Sequence, residues 1–417
     1  MIDPHLPALH VRPPRGWVND PNGLARVDGR WHVFFQHNPA APVHDAIRWG
    51  HASSADLLRW QDEPDALLPR EGGPDAAGCW TGCLVDDGGV PTAVYSGVTG
   101  TGGVSEVVLA RSDRTLRTWA QDERAVVPMP DLPGVSHVRD PFVFTAGGRR
   151  WAVQGAGHPG GTPRLLLFSC DDLTRWEPCG ELLTGDDPVA AKHAEADVWE
   201  CPNVVEVDGR WVLVLSLWRW TDGAHALAGV SWLTGDLDLA DGAPRFRPSA
   251  GGPLDDGPAF YAPQALPAEG RTLLWGWSWE LREQEEVDRA GWAGCLTFPR
   301  ELRVDGDVVS SEPAAELTGL RREELDLSGG RLAPGAFELE TAGGLHLALA
   351  GPDGERPVVD VPPTAAGRPA RVLVDGSVVE VFAGGTPVTT RAYATGGEEW
   401  VVRAPGAVRG WRLGLPG

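Results

Sequence analysis

Cysteine, basic residues and long apolar runs are all scarce in this chain. Its six cysteines, Cys79, Cys83, Cys170, Cys179, Cys201 and Cys295, are few for 417 residues and show no zinc spacing. Cys79 and Cys83 resemble half a metal site, but no second Cys or His pair follows at a matching distance, so neither a metal nor a cofactor is expected. Lysine and arginine number 36 against 58 acidic residues, a formal net charge of −22, which argues against nucleic acid or an anionic membrane as partner. No stretch reaches the roughly 20 apolar residues of a membrane span. The first residues, Met1-Ile2-Asp3-Pro4-His5, lack the basic-then-apolar order of an export signal. A cytoplasmic setting with reduced thiols is the expectation.

Turn signatures, by contrast, are plentiful and regular. Asp28-Gly29-Arg30-Trp31, Asp87-Gly88-Gly89-Val90, Gly147-Gly148-Arg149-Arg150-Trp151, Asp208-Gly209-Arg210-Trp211 and Glu269-Gly270-Arg271-Thr272 each separate runs rich in Val, Leu, Trp and Phe. Each reads as a β-hairpin. The starts at 28, 87, 147, 208 and 269 are spaced by 59, 60, 61 and 61 residues. A second element keeps step with the first: Ser53 to Trp60, Ser112 to Trp119 and Ser169 to Trp176 each carry an Asp followed by Leu and end on Trp. Two markers on one period mean repeated supersecondary units. Four strands fit in about sixty residues, so the expected fold is all-β, a five-bladed β-propeller.

The markers stop after Trp292. Through Leu296-Thr297-Phe298-Pro299-Arg300-Glu301-Leu302 the pattern is still strand-like; it then passes into a polar, Ala- and Leu-containing segment after Pro313. From about residue 325 short alternating strands return without the period. The expected division is a propeller over 1–310, a short helical linker over 311–324 and a C-terminal β-sandwich over 325–417.

Three acidic residues stand in distinctive settings: Asp20 in Asn19-Asp20-Pro21-Asn22-Gly23, Asp140 in Arg139-Asp140-Pro141, and Glu200 in Trp199-Glu200-Cys201-Pro202. Taken singly, Asp20 reads as a turn residue and Asp140 as half of a surface pair. Glu200 has apolar neighbours, which favour a proton-bearing carboxyl of the kind a general acid needs. Together they precede the turns at 28, 147 and 208 by eight, seven and eight residues, which predicts equivalent places on three innermost strands. Such places converge on a propeller axis, and a nucleophilic carboxylate facing a carboxylic acid is what retaining glycoside hydrolysis requires.

The segment Gly16-Trp17-Val18-Asn19-Asp20-Pro21-Asn22-Gly23 resembles the signature of glycoside hydrolase family 32, Arg139-Asp140-Pro141 its RDP motif and Glu200-Cys201 its EC motif. The resemblance continues through Phe34 to Pro39, Trp49-Gly50-His51-Ala52, Trp80-Thr81-Gly82, Phe260 to Gln264 and Gly276-Trp277. In the C-terminal part it includes Asp375 to Phe382, so it covers nearly the whole chain. It implies an enzyme that removes terminal β-D-fructofuranosyl units from sucrose or short fructooligosaccharides, a small carbohydrate substrate. Asp20 would be the nucleophile, Glu200 the acid/base and Asp140 the holder of fructose hydroxyls. Asn19, Gln36, Trp49, Trp80, Thr81, Arg139, Tyr261 and Trp277 would bind fructose.

Most of the nineteen tryptophans must fill cores. Two positions depart from the family pattern: His44 and Ala259 stand where relatives carry Trp and Asp, which bears on the leaving group more than on the reaction. Levan- or inulin-directed hydrolysis, fructosyl transfer and a non-catalytic sugar-binding propeller are the competing readings. Cys201, beside Glu200, is expected to keep that acid poorly solvated unless it packs behind the strand.

Overall fold

In the computed structural model, which describes residues 3–100, 104–240, 242–364 and 368–417, each of the five turn signatures closes a hairpin. Asp28 and Gly29 have φ of 47° and 79°, and Asp208 and Gly209 have 49° and 80°. Two successive positive φ values match the right-handed twist of the flanking strands, the reason Asp-Gly and Gly-Gly occupy these positions. The second turn is Gly88-Gly89 and not Asp87-Gly88, because Asp87 still pairs with Val90. The other marker is a turn between third and fourth strands: Asp56 Oδ1 accepts from Leu58 N and Arg59 N, and Asp113 and Asp172 accept likewise from Thr115 N and Thr174 N.

Residues 16–313 hold five successive antiparallel runs of four strands, the third and fourth joined into one eight-stranded sheet by the Gly157–Val198 pair. They are Gly16–Val27, Arg30–Asn38, Arg48–Ser54 and Trp60–Leu67; Gly78–Asp87, Val90–Val98, Glu106–Ser112 and Trp119–Gln121; His137–Ala146, Arg149–Gly157, Arg164–Asp172 and Arg175–Thr184. Val198–Val207, Arg210–Thr221, Ala224–Asp238 and Arg245–Pro253 form the fourth, and Tyr261–Ala268, Arg271–Ser278, Arg300–Asp305 and Val308–Pro313 the fifth. The first strand of each unit touches that of the next, and the fifth touches the first. Large apolar side chains between units, Trp151, Trp199 and Trp275 among them, are buried. Among the described residues no helix is long and apolar enough to cross a membrane.

The segment 311–324 holds the end of Val308–Pro313, the 3-10 turn Ala315–Leu320, and the strand Arg321–Glu324, which pairs with Val408–Leu413. Beyond it a six-stranded sheet faces a four-stranded one across a core containing Leu339, Leu347, Val372 and Trp400. The two halves meet over buried charges: Arg300 Nη1 bonds Asp255 at 2.7 Å and its Nη2 bonds Glu380 at 2.6 Å, while His10 lies 2.8 Å from Asp375 and 3.1 Å from Glu380.

Candidate active site

All five first strands carry a β-bulge, between Val18 and Pro21, Cys79 and Gly82, Arg139 and Phe142, Glu200 and Asn203, and Tyr261 and Gln264; in the first two it opens one pair farther from the turn than in the other three. An extra residue there bends the strand and re-aims its side chains. Matched through their partner strands, Asn19-Asp20-Pro21 and Trp80-Thr81-Gly82 stand level with Arg139-Asp140-Pro141, Glu200-Cys201-Pro202 and Tyr261-Ala262-Pro263. Two layers result: Asn19, Trp80, Arg139, Glu200 and Tyr261 line a cavity of about 840 Å³, and Asp20, Thr81, Asp140, Cys201 and Ala262 lie at the next position along. Asp140, Cys201 and Ala262 hold φ of 61°, 45° and 48°, a strained backbone for non-glycine residues.

Asp20 and Asp140 are therefore equivalent, whereas Glu200 stands one residue earlier, in the layer of Asn19 and Arg139. Counting back from the turns made all three equivalent. The count slips because the first strand has a second irregularity, between Asn22 and Ala25, that inserts one residue before its turn.

Asp20 and Asp140 are buried and Glu200 is partly so. Asp20 Oδ2 accepts from Gln36 Nε2 at 3.1 Å, from the Thr81 hydroxyl and from Cys201 Sγ at 3.4 Å; its Oδ1 accepts from Asn19 Nδ2 at 3.0 Å. Asp140 Oδ2 accepts from Cys201 N at 2.8 Å. Glu200 takes Arg139 Nε on Oε1 at 2.9 Å and the Tyr261 hydroxyl on Oε2 at 2.7 Å. Burial pushes the Asp20 carboxyl up despite bonds from Thr81 and Asn19, and burial followed by the charge of Glu200 pushes Asp140 up to about 7 against the pull of Arg139. Burial, then the neighbouring carboxylates, carries the Cys201 thiol well above its ordinary range. That thiol faces Asp20 and, at 3.6 Å, Asp140; it does not pack behind the strand.

Of the expected fructose-binding residues, Asn19, Gln36, Trp80, Arg139, Tyr261 and Trp277 line the cavity. Thr81 lies beneath, bonded to Asp20 and, at 2.5 Å, to Gln36. Trp49 does not reach the cavity: it is fully buried, donates to Trp80 O at 3.0 Å and packs on Phe34, so it supports the wall from behind. His44 lies between Trp17 and Trp80, with Nε2 3.2 Å from Gln36 Oε1. Ala259 is outside the cavity, its N–H bonded to Thr389 O at the contact between the two halves. Sequence reasoning missed Trp17, His137, Trp218, Trp220, His225 and Trp279, all of which line the cavity. Trp17 stood inside the string around Asp20, and the alternation Trp218, Trp220 in a strand was the signal for those two. Among the described residues no cluster of His, Cys, Asp and Glu is arranged to hold a metal ion.

An all-β scaffold delivering three carboxylates and a ring of indoles to one cavity defines a carbohydrate-active hydrolase. The chain belongs to glycoside hydrolase family 32: the profile of the glycosyl hydrolases family 32 N-terminal domain matches residues 10–313. It is 33% identical over 336 residues to sucrose-6-phosphate hydrolase of Escherichia coli, covering 77% of this chain and 67% of that protein. It is 33% identical over 341 residues to raffinose invertase of Escherichia coli, covering 78% and 68%. The structure matches the family 32 β-fructofuranosidase of Bombyx mori with a TM-score of 0.82 at 25% identity, over 100% of this chain and 96% of that one; a variant of that enzyme has been solved with sucrose. The fold is thus a β-propeller with a β-sandwich, and the protein is a glycoside hydrolase acting on β-fructofuranosides, with a small carbohydrate as substrate.

Proposed function

We propose that the protein is a retaining, exo-acting β-fructosidase that releases terminal fructose from sucrose and short fructooligosaccharides, on a five-bladed propeller ending near Pro313. The observation that carries this reading is the division of labour at the bulges: Asp20 collects four donors while Glu200 sits one layer away between Arg139 and Tyr261. A carboxylate held by hydrogen bonds from several sides is aimed for attack; one on a separate strand is free to serve the opposite side of the scissile bond. Asp20 attacks the anomeric carbon of fructose as Glu200 passes its proton to the departing oxygen. Water, deprotonated by Glu200, then opens the fructosyl ester and restores both groups. Asp140 accepts from fructose hydroxyls, Asn19 and Gln36 bond others, and Trp80, Trp277 and Tyr261 wall the ring.

The six cysteines are unpaired, which supports a reducing compartment such as the cytoplasm. Levan- or inulin-type chains and fructosyl transfer use the same intermediate. Incubation of the purified protein with sucrose tests the reading: equal glucose and fructose is the expected outcome, excess glucose means transfer, and no release from sucrose or 1-kestose would sink it.

A further inference from the structure

Glu200 fixes the side on which a leaving group must depart, because the group that protonates the glycosidic oxygen has to touch it. Its strand, Val198–Val207, pairs with Arg210–Thr221 through Glu200 and Ser216, and through Val198 and Trp218. Beyond Ser216 that partner strand presents Trp218 and Trp220 on the way to the Asp222-Gly223 turn, and both line the cavity. Three rings gather on Trp218. His137 lies 5.1 Å from Trp218, His225 stacks on Trp218 at 5.8 Å with planes 6° apart, and Trp220 follows at 5.9 Å. Trp218 is nearly buried, but Trp220 leaves 46% of its surface exposed at the rim.

We infer that this outer half of the cavity is built to hold an unphosphorylated sugar as leaving group, packed against Trp218 and Trp220. The inference rests on the β-fructosidase reading above. Indole faces suit the C–H face of a neutral pyranose. A phosphate, carrying about −1.5 to −2 charges near neutral pH, calls instead for Arg or Lys forks. Among the described residues lining the cavity the only permanent cation is Arg139, and it is engaged with Glu200. Arg219, between the two tryptophans in sequence, is turned away and donates to Glu195 O at 2.8 Å and Glu195 Oε2 at 3.1 Å. Burial holds His44 at about 4 and pushes His137 down, so neither supplies positive charge near neutral pH. The rim adds Asp222 and, bonded to Trp220 N at 2.5 Å, Asp197. The chain thus lacks, at this place, the chemistry implied by the name of its phosphosugar-hydrolysing relative.

The test compares kcat/KM for sucrose, for sucrose phosphorylated on the glucosyl 6-hydroxyl, and for methyl β-D-fructofuranoside, which has no sugar to leave. Sucrose is expected to exceed its phosphorylated form by about tenfold or more. Trp220→Ala should raise KM for sucrose and lower the sucrose-to-methyl-fructoside ratio by about tenfold. His225→Arg, which adds a cation beside Trp218, should narrow the gap between the two disaccharides. Equal or faster turnover of the phosphorylated sugar, or an unmoved ratio in Trp220→Ala, overturns the inference while leaving the fructosidase reading standing. No turnover of any of the three substrates overturns that reading, and the inference with it.

Discussion

Asp255, Asp375 and Glu380 lie buried where the propeller meets the sandwich; Asp20, Asp140 and Glu200 lie at the foot of the cavity. Each group contains three carboxylates, but their surroundings differ. At the contact, Arg300 and His10 supply positive charge, and backbone N–H groups of Ala8, Leu9, Gly257, Phe298 and Thr389 supply further bonds. Burial opposes ionisation of Asp375 and Glu380, yet His10, Arg300 and those amides hold both below the ordinary carboxylate range; burial leaves Asp255 raised. Burial likewise opposes the charged His10, which its two carboxylates nonetheless push up. In the cavity one cation, Arg139, faces three acids, and Asp20 and Asp140 stay raised. Compensated burial makes a lock, and under-compensated burial makes carboxyls ready to exchange charge with a substrate.

That difference can be broken from either side. The largest effect is expected for Asp20→Ala, with kcat on sucrose falling by about ten-thousandfold or more. Its melting temperature should not fall, since an under-compensated acid is removed; a destabilised variant would show that Asp20 belongs to the structural class of buried charge. Next comes Arg300→Met, which strands Asp255 and Glu380 and should cost about 3–5 kcal/mol in denaturant unfolding. A loss under about 1 kcal/mol would deny the lock.

Asp140→Asn should cost about a hundredfold in kcat/KM while altering stability in the opposite direction. The folded Asp140 titrates at about 7 against an ordinary 3.8, so the native state holds the proton more tightly. Stability is therefore lost as pH rises from about 4 to about 7, and the penalty is complete above that. The variant should gain over the parent at pH 8 and match it near pH 4 in thermal unfolding. At the contact Asp375 and Glu380 have the reverse sign, their contribution present above their unfolded values and lost as pH falls through their depressed ones, whereas that of His10 is present below about 6.5 and lost as pH rises through its elevated one. The smallest effect belongs to Cys201→Ala. A thiol is a weak donor, so removing its bond to Asp20 should lower kcat/KM by less than about tenfold; a larger loss would promote Cys201 to a principal holder of Asp20.

Much of the fold was legible because turn chemistry and strand alternation are local. Asp28-Gly29 and Gly147-Gly148 need positive φ at both turn positions, which the residue types announce. The three carboxylates were legible for a similar reason, each lying within a short and unusual string. Their equivalence was read one residue out, since the irregularity between Asn22 and Ala25 depends on how that strand meets its neighbour. Trp49 was placed among the fructose-binding residues by the family resemblance, but its indole props the wall from behind, because which face of a strand a Trp takes is known only once the packing is.

The sequence by itself determined the mostly-β class, the sixty-residue period and the short strings that hold Asp20, Asp140 and Glu200, since these depend on backbone preference and on residues adjacent in the chain. Only the tertiary structure decided that Asp375 and Glu380 are compensated and that Asp20 and Asp140 are not. Asp255 finds Arg300 and Thr389, and His10 finds Asp375 and Glu380, across as many as 370 positions. The charge balance of a buried group is set by every side chain and amide within a few ångströms, and nothing local in the chain records which distant residues those will be.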